Sequence, residues 1–300
     1  MNLLFAGASG YGNVGDDAYR VVFSKWFGEK HNVRFESPYP DIDAVKESDV
    51  LTIGGGGLLY ATPISHYDYM SAYLDAAYTS GIPTCFLSCG IQGILREELN
   101  NPEKIDLTPF EIWAPHLKRA KLITVRSRMC VRLIKRIIGD HPNIQYAPDA
   151  AYSTPTSPYR IGPNNAVVVI PTLGSLKHPD FPRVLSTIGS DERVVVASFS
   201  RDDDETVKEV AAKFTGHGNF VDRLRLSVQD AMAILGGAKR VITSRYHGAV
   251  LARAAGIKIS NIEILDRRYK AIVEEDPQSP KESELNKQLF ESSMLDSTQL

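Results

Sequence analysis

The chain carries the stretch Val241-Ile-Thr-Ser-Arg-Tyr-His-Gly-Ala-Val-Leu-Ala-Arg-Ala-Ala-Gly256, which joins an apolar strand to a helix of small residues. The strand ends at Ser244, so the guanidinium of Arg245 and the imidazole of His247 lie beside free N–H groups at a helix N-terminus. Open α/β sheets bind ligands at the carboxyl ends of their strands, and a helix N-terminus there favours an anion. We therefore predict a site in which Arg245 binds a charged group and His247 moves a proton.

Apolar runs of strand length alternate with amphipathic runs of helix length along most of the chain. The runs at 166–170 and 193–197 are apolar on nearly every residue, which is typical of parallel strands covered on both faces. The pattern predicts an α/β fold with two Rossmann-like domains that face each other across a cleft. The predicted strands are 2–7, 32–36, 49–53, 83–88, 121–125, 166–170, 193–199, 239–243 and 257–262. The predicted helices are 17–29, 66–80, 127–139, 203–215, 227–236 and 247–255.

The domain boundary is predicted within residues 152–165. This segment holds three prolines, a glycine and small polar residues, which continue neither a helix nor a central strand. We assign an N-terminal Rossmann-like domain to residues 1–155 and a C-terminal one, with the Arg-x-His site, to residues 166–300. The acidic, serine-rich tail from Glu274 onward is expected to form a peripheral helix and then to fray.

Composition excludes several classes of protein. The 300 residues suit two α/β domains, and a formal net charge of -2 does not support a broad basic face for nucleic acid. No apolar run approaches the length of a membrane span, and the N-terminus lacks the basic region of a signal peptide. The three cysteines, Cys85, Cys89 and Cys130, are sparse, which favours a reducing cytoplasm. For Cys85 and Cys89, at a strand end, we favour packing over metal binding.

The turn after the first strand, Gly10-Tyr-Gly-Asn-Val-Gly15, matches G-x-G-x-x-G, with Glu36 about twenty residues on. Three interpretations stay open: a dinucleotide site, a tight turn with an acidic cap, and a polar substrate site. Asp16 and Asp17 would repel a pyrophosphate at this helix end. The Asn13 amide is a good partner for hydroxyl groups. We predict that Gly12, Asn13 and Asp16 bind substrate.

A second glycine-rich turn is predicted at 54–57, where four consecutive glycines follow an apolar strand. Such a turn exposes backbone N–H groups and allows a ligand to approach closely. A purely structural turn is the alternative, but it seldom needs four glycines. We predict that Gly55 and Gly56 bind substrate.

These pieces together resemble the polysaccharide pyruvyl transferase family. The shared motifs are short, and they occur in the family's order from about residue 3 to residue 256. They are Gly12-Asn-Val-Gly-Asp-Asp-Ala18, Gly54-Gly-Gly-Gly57, Val125-Arg126, Pro148-Asp-Ala150 and Ser244-Arg-Tyr-His247 with the helix that follows it.

The resemblance implies a fold like that of GT-B glycosyltransferases. It also implies transfer of a pyruvyl group from phosphoenolpyruvate to two hydroxyls of a sugar, which gives a cyclic ketal and phosphate. The N-terminal domain would then hold the acceptor, which is a sugar, a glycan or a saccharide linked to a lipid or nucleotide. The reaction needs no metal and no cofactor beyond the donor substrate, and the chain would act in the cytoplasm without nucleic acid. Peripheral association with a membrane-bound acceptor and a homodimer both stay open.

On this interpretation His247 is the catalytic residue, and Arg245, Arg126, Ser244 and Lys270 bind the donor. Because a helix N-terminus disfavours imidazolium, we expect a lowered pKa of His247 that a bound anionic donor would raise again. A solvated side chain is the alternative role for Arg126 and for the basic cluster that ends at Lys270.

Three other functions compete with this one. A GT-B glycosyltransferase that uses a nucleotide sugar would share the fold and an anion-binding cleft. An NAD-dependent oxidoreductase would explain the first glycine turn but leave Arg245 and His247 without a role. A non-catalytic sugar-binding module would tolerate the loss of either residue, and both are present.

Overall fold

The computed structural model describes residues 1–36, 41–60, 64–94, 101–161, 164–214, 220–223, 226–266 and 279–295. The architecture is α/β with two parallel sheets, as the sequence predicted. By its contacts, the chain divides into an N-terminal unit (Met1–Gly10, Tyr19–Ser153, Gln278–Leu300) and a C-terminal unit (Tyr11–Ala18, Thr154–Pro277). These bounds differ from the predicted 1–155 and 166–300, because Tyr11–Ala18 group with the C-terminal unit and the end of the chain groups with the N-terminal unit.

Strands and helices alternate along the chain. The strands are β1 Asn2–Ala6, β2 Asn32–Glu36, β3 Val50–Tyr60, β4 Thr84–Gln92, β5 Leu122–Val125, β6 Ile144–Tyr146, β7 Ala166–Ile170, β8 Val194–Ala197, β9 Phe220–Arg223, β10 Ala238–Thr243 and β11 Ile262–Ile264. The α-helices are α1 Val14–Phe27, α2 Ile42–Lys46, α3 Ile64–Thr79, α4 Ala114–Arg119, α5 Arg128–Ile138, α6 Phe181–Leu185, α7 Asp204–Ala212, α8 Val228–Leu235, α9 Tyr246–Ala254, α10 Pro280–Ser283 and α11 Leu285–Phe290. None of the helices in the described part of the chain has the length and apolar character needed to cross a bilayer.

Each unit is built on one parallel sheet. The N-terminal unit has the strand order β2-β1-β3-β4-β5-β6, and the C-terminal unit has the order β11-β10-β7-β8-β9. Every residue of β7 and β8 is buried, which explains why these runs carry no alternating polar positions. In the N-terminal unit Phe5 of β1 stacks on Phe23 of α1, with ring centroids 4.8 Å apart.

The structure adds two strands that the sequence did not reveal and moves a third. The strands β6, Ile-Gln-Tyr, and β9, Phe-Val-Asp-Arg, are short and mixed in polarity, so neither gives an apolar run. The strand predicted at 257–262 is instead β11, which begins at Ile262. The chain before β11 completes the end of α9, where Gly256 has φ +90° and Ile257 N–H donates to Ala252 O (3.0 Å).

The acidic tail is helical, as predicted, but in the described residues 279–295 it is not peripheral, and that part of the prediction was wrong. Phe290 is fully buried, with its ring centroid 4.8 Å from that of Phe27 and 6.4 Å from that of Phe5. Asn286 is also fully buried, and its side-chain amide donates to Pro148 O (2.6 Å). The tail therefore completes the core of the N-terminal unit. Its acidic composition hid the two residues that anchor it.

Candidate functional site

The C-terminal unit has a topological switch point between β7 and β10. The chain runs from β7 to β8 and β9 on one side, and then returns to place β10 and β11 on the other side of β7. Connections from these two neighbouring strands leave in opposite directions, which opens a crevice at their carboxyl ends. Residues 171–175 and 244–247 follow β7 and β10 directly, so they lie at this edge.

Ser244 connects the two sides of the switch point. Its hydroxyl accepts a hydrogen bond from Ser175 Oγ (2.8 Å), and its N–H donates to Ile170 O (3.1 Å). Ser175 Oγ in turn accepts from the N–H of Thr172 (2.7 Å). Because the Ser244 hydroxyl is used there as an acceptor, its own proton is available to a ligand.

Arg245 is held by a buried carboxylate that sequence analysis did not identify. Its Nε donates to Asp203 Oδ2, and the side chains of Arg245 and Asp203 are 22% and 1% exposed. The other oxygen of Asp203 accepts from the N–H of Leu173 (3.2 Å). Among the described residues, no second side chain bonds the guanidinium, so its two terminal nitrogens can bind an anion.

His247 lies in the first turn of α9, as predicted, and is partly buried. Its ring packs edge-on against the ring of Tyr246, with centroids 5.1 Å apart. Gly15 packs directly against His247. A Cβ atom on Gly15 would overlap Nδ1, Cγ and Cβ of His247, so the two residues are in direct contact.

Residues 11–15 of the first glycine turn belong to the same unit as His247. Asn13 forms a bridge with Ser200, and Val14 N–H donates to Phe199 O (2.9 Å). Gly15 N–H donates to Asn13 Oδ1 (3.1 Å). The N–H groups of Val14 and Gly15 therefore already have acceptors within the protein, which makes them less suited to bind a pyrophosphate. Asp16 lies partly buried in the same helical turn.

Arg201, a second residue that sequence analysis missed, packs on this turn. A Cβ atom on Gly12 would lie 2.7 Å from Arg201 Nε. The signal in the sequence was a polar run, Ser200-Arg-Asp-Asp203, that begins soon after the buried strand β8. Polar residues after a parallel strand lie at the ligand-binding edge, so both Arg201 and Asp203 could have been considered.

Arg126 lies in the N-terminal unit and is 4% exposed, so it is not a solvated side chain. Its Nη1 is 3.3 Å from Oδ2 of Asp149, which is fully buried. The hydroxyl of Tyr19 donates to both oxygens of Asp149, at 2.8 and 2.9 Å, and Ala151 N–H donates to Oδ1 (2.9 Å). Asp149 thus caps its own turn and also orients Arg126.

A family model matches most of the chain. The model of polysaccharide pyruvyl transferase covers residues 11–260, which include the first glycine turn, Arg126, Asp149 and the Arg-x-His motif. The chain belongs to the polysaccharide pyruvyl transferase family. Membership of this family makes the protein a transferase of polysaccharide biosynthesis. No curated protein sequence matches it significantly.

Similar solved structures show the fold of the protein. UDP-GlcNAc 2-epimerase from Neisseria meningitidis, bound to UDP-GlcNAc, has a TM-score of 0.57 at 8% identity over 99% of this chain and 100% of its own. MnaA of S. aureus with UDP has a TM-score of 0.56 at 10% identity, over 94% and 91% of the two chains. Anabaena HepE with UDP has a TM-score of 0.53 at 12% identity, over 98% and 96%. The fold is therefore GT-B-like, as the resemblance implied.

The second glycine motif, residues 54–57, is not a turn, and that prediction was wrong. Strand β3 continues through all four glycines, with irregular register between Gly56 and Leu59. Gly55 and Gly56 have φ of +80° and +94°, which is typical of a bulge. A Cβ atom on Gly55 would overlap the ring of Tyr19, and one on Gly57 would overlap Gln92. Packing within the unit explains these glycines, and substrate binding by Gly55 and Gly56 stays a prediction.

Lys270 and the cysteines are the remaining residues that the sequence analysis named. Lys270 lies outside the described residues. The thiols Cys85 and Cys89 are buried; burial raises the pKa of Cys85 to about 12 and raises that of Cys89 further, so neither is a thiolate at neutral pH. In the described part of the chain, no three His, Cys, Asp or Glu side chains are grouped so that they could hold a metal ion.

Proposed function

We propose that the protein transfers the pyruvyl group of phosphoenolpyruvate to two hydroxyls of one sugar. One observation carries the proposal. At the switch point of the C-terminal unit, His247 lies two residues from Arg245, whose guanidinium is oriented by the buried carboxylate of Asp203. A fixed guanidinium and an imidazole at the same sheet edge are suited to an anionic substrate that must accept a proton.

The reaction balances without a cofactor. A proton adds to the methylene carbon of phosphoenolpyruvate, and the adjacent carbon becomes an oxocarbenium-like centre. One sugar hydroxyl attacks that carbon, then the bond to phosphate breaks and the second hydroxyl attacks. Of the two hydroxyl protons, one replaces the proton used to form the methyl group and the other leaves with hydrogen phosphate.

Three residues have roles in this scheme. Arg245 presents its two terminal nitrogens to the donor's carboxylate, for which a planar fork is well matched. Ser244 donates its hydroxyl proton to the same ligand. His247 delivers the proton to the methylene carbon and takes up a proton from an attacking hydroxyl.

A GT-B glycosyltransferase that uses a nucleotide sugar is the second candidate. The observation that favours it is the fold, since HepE and MnaA were solved with UDP. Their identities of 12% and 10% support only the architecture. The two candidates differ in the donor: one releases inorganic phosphate from phosphoenolpyruvate, and the other releases a nucleotide.

The test is an assay of the purified protein with phosphoenolpyruvate and a panel of sugars, glycans and lipid- or nucleotide-linked saccharides. We expect phosphate release together with a new ketal methyl signal by NMR. His247→Ala should lose at least about 100-fold in rate, because it removes the group that transfers the proton. His141→Ala, which alters a histidine of the other unit, is the matched control. Transfer from a UDP-sugar, with no phosphate released from phosphoenolpyruvate, would replace this proposal with the second candidate.

A further inference from the structure

Arg201 lies at the same sheet edge as Arg245 and His247, in the 3-10 turn Arg201–Asp203 that precedes α7. This turn is tied to the first glycine turn of the same unit. Asn13 forms its bridge with Ser200, the residue just before Arg201. Two residues after Arg201, Asp203 bonds Arg245. The turn therefore joins the glycine motif at one end to the donor-binding arginine at the other.

Gly12 provides the surface on which Arg201 packs. Gly12 has φ +76°, a conformation that favours glycine. A Cβ atom at this position would lie 2.7 Å from Nε, 3.2 Å from Cγ and 3.3 Å from Cδ of Arg201. The stem of Arg201 thus lies across the Cα atom of Gly12, and any side chain at residue 12 would displace it. The absence of a side chain at Gly12 therefore determines where the side chain of Arg201 lies.

The charge of Arg201 is not compensated by the carboxylates near it. Asp203 bonds Arg245 and the Leu173 N–H, and Asp204 Oδ1 accepts from Ser198 Oγ (2.7 Å). Across the described ranges, no carboxylate lies within ion-pair distance of Arg201, and its side chain is exposed. An arginine whose stem is packed but whose charge is unpaired is prepared for an external anion.

We propose that Arg201 also binds the donor and that it contacts the donor's phosphate group. This inference rests on the proposed function. The donor carries two anionic groups, a carboxylate and a phosphate, whereas Arg245 offers a single fork. Arg245 is largely buried, with 22% of its side chain exposed, and suits the group that stays on the product. The exposed guanidinium of Arg201 suits the phosphate, which must leave to solvent.

The experiment measures binding of phosphoenolpyruvate, inorganic phosphate and pyruvate by calorimetry, with steady-state kinetics in parallel. Arg201→Gln should weaken binding of phosphoenolpyruvate and phosphate by about 10- to 100-fold, the loss expected for one charge-assisted hydrogen-bonded pair. Binding of pyruvate, which lacks the phosphate, should change less than threefold or so. Arg201→Lys should recover part of the loss, because it keeps the charge but not the fork.

The matched control is Arg183→Gln, which removes an exposed arginine of α6 in the same unit. Circular dichroism and the melting temperature check that each variant is folded. Phosphate binding unchanged in Arg201→Gln would overturn the role of Arg201 and leave the proposed function standing. Weakened binding without any ketal formation by the wild type would support Arg201 as an anion ligand and overturn the proposed function. A wild type that binds neither phosphate nor phosphoenolpyruvate would overturn both.

Discussion

Gly15 and His247 are in direct contact, and the space for the imidazole ring exists because residue 15 has no side chain. Gly12, at the other end of the same motif, contacts Arg201 in the same way, because a Cβ atom on Gly12 would lie 2.7 Å from Arg201 Nε. The two glycines of Gly12-Asn-Val-Gly15 therefore hold side chains of the C-terminal unit. The glycine spacing is typical of dinucleotide-binding turns, but here each glycine leaves room for a protein side chain, Arg201 at Gly12 and His247 at Gly15.

Gly15→Ala tests this relationship. Gly15 lies within α1, where alanine is favoured over glycine by about 1 kcal/mol, so the helix should not be weakened. The methyl group should displace His247 and lower kcat/KM by roughly 100-fold, the effect of losing a positioned proton-transfer group. The control is Gly236→Ala, at the end of α8, where the nearest atom would be 3.3 Å from the new Cβ. Full activity in Gly15→Ala would mean that the ring position is not critical.

Asp203→Asn tests the hold on Arg245. The amide keeps the shape and can still accept from the Leu173 N–H, but it lacks the charge that binds Nε. We expect KM for phosphoenolpyruvate to rise about tenfold with a smaller change in kcat, since a hydrogen bond to a charged group is worth about 1 kcal/mol more than a neutral one. Asp202→Asn, one residue earlier and exposed, is the control. If KM does not change, Arg245 keeps its orientation without the carboxylate.

Arg126→Met tests the buried ion pair of the N-terminal unit. It leaves the carboxylate of Asp149 without its cation at a position that is fully buried. The free energy of unfolding should fall by about 3–5 kcal/mol. The double variant Arg126→Met/Asp149→Leu should be less destabilised than the sum of the two single variants, as urea titrations would measure. Arg132→Met, on the exposed face of α5, is the control. Equal unfolding curves for Arg126→Met and wild type would contradict a structural role.

Phe290→Ala tests the tail. Its ring is fully buried against Phe27 and Phe5, so truncation should cost about 3–5 kcal/mol of unfolding free energy. Gln288→Ala, two residues earlier and exposed, should change it by less than about 0.5 kcal/mol. Thermal melts followed by circular dichroism distinguish the two. A melting temperature unaffected by Phe290→Ala would show that the tail contributes little to the core.

Because His116 is buried, we expect the free energy of unfolding to fall on acidification. Burial lowers the pKa of His116 below 6.5, and its Nε2 lies 3.1 Å from the Tyr67 hydroxyl. The unfolded chain then binds a proton more readily than the folded one, so stability is full above pH 6.5 and falls as the pH drops from there toward the folded pKa. Urea unfolding at pH 7.5 and 5.5 should show a smaller difference in His116→Gln than in wild type. A difference of equal size would assign the pH dependence to other groups.

How much of this was predictable depends on how local each signal is. The strand-to-helix passage through Ser244 and His247 is contiguous in sequence, so its position at the sheet edge followed from the apolar pattern alone. The ion pair of Arg245 with Asp203 joins residues 42 positions apart, and no spacing rule predicts it. The four glycines of β3 looked like a turn because the bulge, and the Tyr19 ring packed on it, exist only in the folded unit.

The buried tail also has a consequence for the order of events during synthesis. The N-terminal unit needs Phe290 and Asn286 for its core, yet the ribosome makes them only after residues 154–277 of the other unit. Chains fold from the N-terminus as they emerge, so the core of the N-terminal unit stays incomplete while the second unit is translated, although all strands of its sheet have been made. In that interval Thr124 Oγ1 lacks its hydrogen-bond acceptor Asn286, and the ring of Phe27 is not yet covered by Phe290. Slow translation of the middle of the gene would prolong the exposure of that surface to chaperones and to aggregation.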